Sequence, residues 1–422
     1  MSVIKGIKGV KDLLPEETPR WRLIEEAARR WAGRYGFHEI RIPIFEMTTL
    51  FARSIGASTD IVEKEMYSFQ DRDGTSLTLR PEGTAGTVRA YIEHNRAAIP
   101  VPQKYFYFGP MFRHERPQAG RLRQFHQFGV ESLGMADPQA DIEVIALLWR
   151  ILRDLDLPGL TLEVNNLGSP ADREAYRPHL VKYLKQHEAG LCANCRHRID
   201  VNPLRVLDCK VPACRGITEA APRLADSLSE TARSYFTQVL AGLDIIKVPY
   251  SLNHRLVRGL DYYNLTTFEV TATNLGAQNA VGAGGRYDGL VETLGGPPTP
   301  AVGFALGLER MSLLLPESAL AKAGADVAVY VAGFGLHGAV AGLTALEELR
   351  LAGHRAVTDF RSRTLKAHLR QADRLGCRFT FIIGDDEVTK GVGVLRDMET
   401  KVQYDLHLST VSLEIHSLLA GS

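Results

Sequence analysis

A strand-like segment, RQFHQFGVESLG, carries polar side chains where a sheet would normally bury apolar ones. Successive side chains of a strand point to opposite faces, so one face of this segment holds every second residue. The four residues on that face are Phe125, Gln127, Gly129 and Glu131. Burying a carboxylate without a partner costs on the order of several kcal/mol. We therefore expect this face to receive a polar ligand, with Gly129 leaving room for it.

The preceding segment, KYFYFGPMFRHE, supplies a fixed cation to the same space. Strand alternation carries Arg113 to the ligand face, and the loop HERPQAGRLR adds Arg116, Arg121 and Arg123. Guanidinium groups bind phosphate oxygens in a planar, two-point geometry, so this pattern indicates a phosphate chain. The alternative is an edge hairpin whose charges are merely solvated.

Two turns add groups that could hold a small polar ligand. RGLDYYNLTTFEV places Arg258, Tyr262 and Tyr263 directly before a strand, although composition alone indicates only a polar turn there. LRPEGT ends a strand with Glu82 and Thr84, which could accept an ammonium group and supply a hydroxyl contact. Taken alone, LRPEGT is an ordinary helix-capping turn.

Two glycine-containing segments are less specific. VGAGGRYDGL lacks the Gly-Lys-Ser/Thr ending of a P-loop and does not follow a strand as a P-loop does, so it is a weak phosphate-binding candidate. Its glycines could instead let a strand approach a ligand closely, with Tyr287 as a hydrogen-bonding wall. In GFALGLERM the pair Glu309 and Arg310 ends an apolar run, and we expect this charged pair to reach inward.

Four of the five cysteines are grouped in one polar, arginine-rich segment. They are Cys192, Cys195, Cys209 and Cys214. Two close pairs of this kind could bind zinc, but the second pair is loosely spaced and no histidine completes an alternative set. Disulfides are disfavoured in a reducing compartment. We therefore expect reduced structural thiols rather than zinc, and we expect Cys377 in a core.

Length and composition set the frame for these groups. A chain of 422 residues with 45% hydrophobic residues favours two or three globular domains. Lysine and arginine total 50 against 49 acidic residues, so a nucleic-acid partner would have to meet local basic surface. We find no signal-peptide pattern at the N-terminus and no apolar run of membrane-spanning length, and we expect a cytoplasmic protein without a membrane partner.

The elements that position the polar groups follow from periodicity. An amphipathic helix is predicted from Thr18-Pro19 to about Gly33, and residues 38–134 carry strand signals separated by turns, which favours an antiparallel sheet. The pattern of residues 170–250 is helical, and we interpret this segment as an insertion. Beyond PESALAKAGAD, strands alternate with helices, which indicates a small α/β domain.

Four segments together resemble the histidyl-tRNA synthetases, which are class II aminoacyl-tRNA synthetases. These segments are FRHERPQAGRLRQFHQFGVE, LVRGLDYYNLTTFEV, GGRYDGLVETLGG and AVGFALGLER. The resemblance implies an α+β fold: an antiparallel-sheet class II catalytic domain (1–169 and 251–318) with a helical insertion domain (170–250). It also implies a C-terminal α/β anticodon-binding domain (325–422).

The resemblance also implies roles for individual residues. Arg113 would bind the α-phosphate of ATP, Arg121 the outer phosphates, and Phe125 would stack on adenine, with Arg310 on its other side or near the γ-phosphate. Arg258 would lie between the α-phosphate and the substrate carboxylate. The remaining pocket residues would bind histidine: Glu82, Thr84, Gln127, Glu131, Tyr262, Tyr263 and Tyr287. Arg116 and Gln118 would read the acceptor end of tRNA.

The implied activity is histidine–tRNA ligation in a homodimer, with L-histidine, ATP, Mg²⁺ and tRNA(His) as substrates and cofactor. The basic residues Arg361, Arg363, Lys366, His368 and Arg370 would contact the anticodon loop or form a solvated helix face. The alternative is the ATP phosphoribosyltransferase regulatory subunit, a histidine-binding paralogue without aminoacylation. Such a paralogue usually lacks the catalytic arginine and the anticodon domain, whereas Arg258 and a complete C-terminal unit are present here.

Overall fold

The computed structural model of the chain describes residues 3–56, 59, 61–276, 279–322, 329–361 and 364–420. The backbone divides into two units, Met1–Leu320 and Ala321–Ser422. Within the described residues, no helix has both the length and the apolar character that crossing a membrane requires.

The strands of the first unit build the sheet that the pattern of residues 38–134 predicts. In chain order they are β1 (His38–Glu39), β2 (Phe45–Met47), β3 (Tyr67–Gln70), β4 (Ser76–Leu79), β5 (Gln103–Phe112), β6 (Gln124–Leu133), β7 (Leu160–Asn166), β8 (Ser251–Leu252), β9 (Asn264–Ala272), β10 (Ala280–Arg286) and β11 (Ala301–Gly307). The described part of the unit contains an eight-stranded sheet in the order β1-β5-β6-β11-β10-β9-β7-β8. All neighbours from β5 to β7 pair antiparallel, and β1 and β8 join the edges in parallel. The antiparallel prediction is confirmed.

The helices of this unit connect and cover the strands. They are α1 (Thr18–Arg34), α2 (Thr48–Ile55), α3 (Thr84–Glu93), α4 (Pro138–Asp154), α5 (Pro170–Gln186), α6 (Ala193–Val201), α7 (Leu204–Leu207), α8 (Pro212–Glu219), α9 (Glu230–Ile245), α10 (Leu290–Thr293), α11 (Leu308–Leu314) and α12 (Glu317–Lys322). The predicted N-terminal helix is therefore present, and residues between β7 and β8 are helical. Strands β2, β4 and β3 form a separate small sheet beside α2.

The main sheet has two chemically different faces. On β6 the side chains of Phe128 and Val130 point into a large apolar core that α1 and α4 close, with Ile24 and Leu148 also fully buried there. The alternate residues of the same strand face the opposite side, where Glu131 is buried among polar and aromatic groups. Period-2 geometry thus separates an apolar core from a polar interior.

The C-terminal unit is the predicted α/β fold. Its elements are β12 (Val329–Gly333), α13 (Leu336–Leu351), β13 (Ala356–Val357), α14 (Leu365–Arg374), β14 (Phe379–Ile383), α15 (Asp385–Lys390), β15 (Val392–Asp397), β16 (Gln403–His407) and α16 (Val411–Ala420). The sheet order is β13-β12-β14-β15-β16, parallel for the first three strands and antiparallel for the last two. The predicted start of this domain at Ala325 lies outside the described residues.

The basic residues predicted near α14 differ in their surroundings. Lys366 and Arg370 are exposed, and Arg361 is exposed with its guanidinium paired to Asp359. His368 is buried and contacts the hydroxyl of Tyr330 at 2.9 Å, so grouping it with surface basic residues was wrong. Arg363 lies outside the described residues.

A buried ion pair links α4 to the main sheet. Arg286 on β10 binds Asp141 on α4 at 2.8 Å, and both side chains are fully buried. We expect Asp141→Ala to lower the unfolding free energy by up to about 3–5 kcal/mol, because the buried Arg286 would keep only the partly exposed Asp288 as an acidic partner. Urea unfolding followed by tryptophan fluorescence measures this, since Trp21, Trp31 and Trp149 all lie in the first unit.

The same helix offers the control for this variant. Asp154, near the other end of α4, pairs with Arg30 while both side chains remain partly exposed. Exposed pairs contribute roughly 0–1 kcal/mol, so Asp154→Ala should have a small effect. Equal losses for the two variants would contradict the role given to the buried pair.

Candidate active site

A cavity of about 350 Å³ opens on the polar face of the main sheet. It is bordered by β6, β9, β10 and β11, by the LRPEGT turn, by the loop after β5, and by the RGLDYY segment. Predicted site residues lining it are Glu82, Thr84, Arg113, Arg121, Phe125, Gln127, Arg258, Tyr262, Tyr263 and Arg310. Segments far apart in sequence therefore converge on one space.

Three arginines make one end of the cavity strongly cationic. Arg113 donates from Nε to the carbonyl of Pro81 at 2.8 Å, and its guanidinium lies 5.3 Å from the ring centre of Phe125. Arg310 donates to the carbonyl of Gly120 at 3.2 Å, and Arg121 pairs with Glu115. Burial lowers the pKa of all three arginines. Partly desolvated cations of this kind are suited to an anionic ligand.

Arg258 is held at the centre of the cavity by an ion pair. Its Nη1 donates to Glu269 on β9 at 2.8 Å, and its guanidinium lies 5.5 Å from the ring centre of Tyr263. Both members of the ion pair retain less than a fifth of their side-chain exposure. After burial, the nearby charge of Arg258 also acts to lower the pKa of Arg113. This repulsion favours an anion between them.

Apart from the Glu115 oxygen that forms the ion pair with Arg121, two buried polar atoms at the cavity have no hydrogen-bond partner among the residues that the structure describes. They are Oε1 of Gln127 and Nε of Arg258. An unpaired buried donor or acceptor costs roughly 1–3 kcal/mol, and native structures hold few of them. One acceptor and one donor left open beside the same cavity therefore point to a ligand with complementary groups.

Glu82, in the LRPEGT turn, caps a helix and also lies at the cavity. Its carboxylate accepts hydrogen bonds from the backbone N–H of Thr84 at 2.6 Å and of Ala85 at 2.8 Å, at the start of α3. It also lines the cavity, where burial raises its pKa. The capping turn thus fixes a carboxylate at the cavity wall.

Glu131 lies behind the cavity wall instead of in it. Within the described part of the chain, the lining includes neither Glu131 nor Tyr287. Glu131 accepts hydrogen bonds from the hydroxyls of Thr84 at 2.7 Å and Tyr107 at 3.2 Å, and from that of Tyr287. Burial raises the pKa of Glu131 to about 8, although its hydroxyl partners act in the opposite direction. The prediction that Glu131 and Tyr287 bind the ligand stays a prediction, and Glu131 is joined to the cavity wall through Thr84 and Tyr107.

The space beside Gly129 is filled by protein. A side chain at Gly129 or at Gly83 would collide with the ring of Tyr107. The prediction that Gly129 makes room for a ligand was therefore wrong, because its missing side chain admits this tyrosine. Tyr107 then reaches the cavity from β5 and bonds Glu131.

The aromatic end of the cavity is built by the RGLDYY segment. The rings of Tyr262 and Tyr263 lie 4.6 Å apart, and the ring of Tyr287 lies 5.6 Å from that of Tyr262. Tyr263 is buried and Tyr262 is partly exposed. Phenols packed in this way offer hydroxyls at fixed positions to a polar, planar group.

The loop between β5 and β6 presents two of its polar side chains to solvent, whereas Arg123 is partly buried and donates to the carbonyl of Glu115. Arg116 and Gln118 are exposed, and the backbones of Gln118 and Arg121 form a two-way bridge that closes the loop. The side chain of Arg121 lines the cavity, whereas those of Arg116 and Gln118 face solvent. VGAGGRYDGL is not a phosphate loop: it forms β10, with Arg286 buried in an ion pair.

Several residues of the site were missed from the sequence. Glu269 is a charged residue amid the apolar alternation of TTFEVTA, the same signal that identified Glu131. Tyr107 and Glu115 carried no such signal. Arg205 and Asp208 reach the cavity from the helical segment between β7 and β8, which spacing alone could not place there.

Comparisons with known proteins agree with this geometry. Residues 9–311 match the family described as histidyl-tRNA synthetase, and residues 327–418 match the family described as anticodon binding domain. The chain is 48% identical to the histidine–tRNA ligase of Trichlorobacter lovleyi across 97% of each protein. It is also similar to the crystal structure of apo histidyl-tRNA synthetase from S. aureus, with 37% identity, a TM-score of 0.81, and coverage of 98% of this chain and 99% of that one.

A more distant structure shares the fold alone. It is the crystal structure of an ATP phosphoribosyltransferase regulatory subunit/histidyl-tRNA synthetase from Bacillus halodurans, with 21% identity, a TM-score of 0.66, and coverage of 91% of this chain and 98% of that one. The much higher identity to synthetases disfavours the regulatory alternative. Because the family match includes most of the residues and the similarity extends over nearly the full length of these relatives, the chain belongs to the histidyl-tRNA synthetase family.

Proposed function

We propose that this chain activates L-histidine with ATP to form histidyl-adenylate and pyrophosphate, and then transfers the histidyl group to the 3′-terminal adenosine of tRNA(His), releasing AMP. The observation that carries the proposal is the order of groups along one cavity. Arginines occupy one end, tyrosines and an amide the other, and Arg258 lies between them. This order matches a substrate pair in which a triphosphate meets an amino-acid carboxylate.

The cationic end is proposed to bind ATP. Arg113 would contact the α-phosphate, since its Nε is fixed by the Pro81 carbonyl and its remaining N–H groups stay available. Arg121 and Arg310 would contact the outer phosphates. Phe125, beside Arg113, offers an aromatic face for adenine. Arg121 would have to exchange its bond to Glu115 for the phosphate, which charge-assisted bonding permits.

The aromatic end is proposed to bind histidine. Glu82 and the open Oε1 of Gln127 would accept from the ammonium group, with Thr84 beside them. Tyr262 and Tyr263 would border the imidazole. Glu131 and Tyr287 would act from behind, because Glu131 orients the hydroxyls of Thr84, Tyr107 and Tyr287. An apolar amino acid would leave these polar groups unpaired, which disfavours its binding.

The chemistry needs charge stabilisation more than proton transfer. The carboxylate of histidine is ionised at neutral pH, so its oxygen attacks the α-phosphorus without a general base, and pyrophosphate leaves. Negative charge builds on the α-phosphate oxygens during attack. Arg113 and Arg258 border that position and would stabilise the charge from fixed positions.

Mg²⁺ is proposed as the metal that accompanies ATP. The carboxylates of Glu269 and Glu309 line the cavity, and oxygen donors of this type suit Mg²⁺, so these residues fit such an ion. When bound, the ion would neutralise charge on the phosphates. Arg258 holds the Glu269 carboxylate in place through their ion pair. The backbone N–H of His126 holds that of Glu309 by donating to it at 2.9 Å.

Two surfaces are proposed to contact tRNA. The exposed Arg116 and Gln118 stand on the loop beside the cavity, where the acceptor end must arrive. In the C-terminal unit, the exposed Lys366 and Arg370 follow one face of α14 and would contact the anticodon loop through phosphates or an unstacked base. From the family we also expect a homodimer that works in the cytoplasm.

Arg258→Ala tests the central assignment. We expect histidine-dependent exchange of pyrophosphate into ATP to fall by roughly 10²-fold or more, because a fixed cation at the reacting phosphate is lost. Histidine binding, measured by calorimetry, should change little. Arg255→Ala is the control: Arg255 lies three positions earlier and pairs with Glu219 away from the cavity. Exchange near the wild-type rate for Arg258→Ala would refute the role of this residue.

Glu131→Gln tests the buried carboxyl through its pH dependence. Because burial raises the pKa of Glu131 to about 8, the native state keeps a proton that the unfolded state releases near its ordinary pKa. Wild-type stability should therefore fall, relative to Glu131→Gln, as pH rises from about 4.5 to about 8, and the difference should then level off.

Urea midpoints measured at several pH values across this window report the difference. The exposed Glu26→Gln serves as the control, since its stability should follow the wild-type profile. Parallel profiles for wild type and Glu131→Gln would show that Glu131 has no raised pKa in the native state.

A further inference from the structure

Four cysteine side chains converge in the helical segment between β7 and β8. The sulfur atoms of Cys192, Cys195, Cys209 and Cys214 all lie within 4.8 Å of one another, and none of them forms a disulfide. Four thiolates around zinc at about 2.3 Å place the sulfur atoms about 3.8 Å apart. The cluster is thus within about an ångström of that arrangement. The loose sequence spacing that disfavoured zinc is no obstacle, because the fold brings the second pair to the first.

The local backbone brings the two cysteine pairs into contact. Cys192 precedes α6 and Cys195 lies in its first turn, while Cys214 lies in the first turn of α8. The N–H of Cys192 donates to the sulfur of Cys214 at 3.2 Å. This hydrogen bond joins the first cysteine pair directly to Cys214.

The burial of the cluster fits a closed metal site better than plain core packing. Cys195 and Cys214 are fully buried, whereas Cys192 and Cys209 are partly exposed at its rim. Packing alone gives no reason for four thiols from three separate segments to direct their sulfur atoms at one point. A four-thiolate zinc site requires that convergence.

The cluster also lies behind a wall of the active-site cavity. Arg205 and Asp208, in and after α7 between the two cysteine pairs, line that cavity. Asn202, at the end of α6, donates to Asp261 of the RGLDYY segment at 2.9 Å. A link that fixes α6 and α7 would therefore also fix the segment that carries Arg258 and the tyrosines.

We propose that Cys192, Cys195, Cys209 and Cys214 bind one zinc ion as a closed, structural tetrathiolate site that holds α6 and α7 against the RGLDYY segment. All four ligands come from the protein, so the ion has no open position and takes no part in adenylation. The site rests on the positions of the sulfur atoms and stands whether or not the proposed substrate assignments hold.

Metal analysis of the full chain tests the site directly. Protein purified without chelators from zinc-supplemented cells should hold about one zinc ion per chain. Replacement by cobalt should give the intense visible bands of a tetrahedral cobalt–thiolate complex. Absence of both zinc and these bands would overturn the proposal. Disulfides among the four cysteines would also overturn it, and they would be indicated if the thiols reacted with an alkylating agent only after treatment with a reducing agent.

Single substitutions locate the ligands. Cys209→Ser changes a rim ligand and should abolish stoichiometric zinc and the cobalt bands. Cys377→Ser, which changes a buried cysteine of the C-terminal unit, should leave both unchanged. Zinc retained in full by Cys209→Ser would remove this residue from the set and overturn the four-thiolate site.

Hydrogen–deuterium exchange tests the structural consequence without any activity readout. Treating the wild type with a strong zinc chelator should speed exchange at 193–207 and at 258–263, and added zinc should reverse the change. Added magnesium should not reverse it. Unchanged exchange at 258–263 on metal removal would refute the link to the active site, even with zinc bound.

Discussion

The main sheet must bury an apolar face and a polar face at the same time, and the rest of the first unit follows from that constraint. Phe128 and Val130 go into the core closed by α1 and α4, while Gln127 and Glu131, on the same strand, go the other way. Burial of apolar groups is favourable because water is released from their surfaces, but buried polar groups are stable only when they have hydrogen-bonding or ionic partners. The elements on the polar side therefore supply hydrogen-bond and ion-pair partners as well as covering the sheet.

Partners are distributed so that some polar atoms stay open. Glu131 receives three hydroxyls, and Glu82 receives two backbone N–H groups, which leaves neither carboxylate isolated. Arg258 is fixed through Nη1 while Nε stays open, and Gln127 keeps Oε1 open. A cavity in which every group were satisfied would gain nothing from a ligand. Here one acceptor and one donor remain for a ligand with complementary groups.

The sequence predicted this polar face because its signal is local. Alternation within one strand placed Gln127 on the right side, and the antiparallel sheet followed from hairpin patterns in residues 38–134. The packing of side chains between the two strands of this hairpin could not be predicted in this way. The space at Gly129 was assigned to a ligand because nothing in the sequence shows that the ring of Tyr107 fills it.

The helical segment shows the same limit on a larger scale. α6, α7 and α8 are short, and helices of this length are marginal unless tertiary contacts hold them. Their apolar core is modest, with Ile199, Val206 and Leu207 packed around the buried cysteines. Such a module needs an additional constraint if it is to present Arg205 and Asp208 to the cavity at fixed positions. Sequence spacing describes only the chain between two cysteines, whereas the constraint depends on where the helices place their sulfur atoms. A cross-link at that point would act on the catalytic segment through Asn202 and Asp261 without touching a substrate.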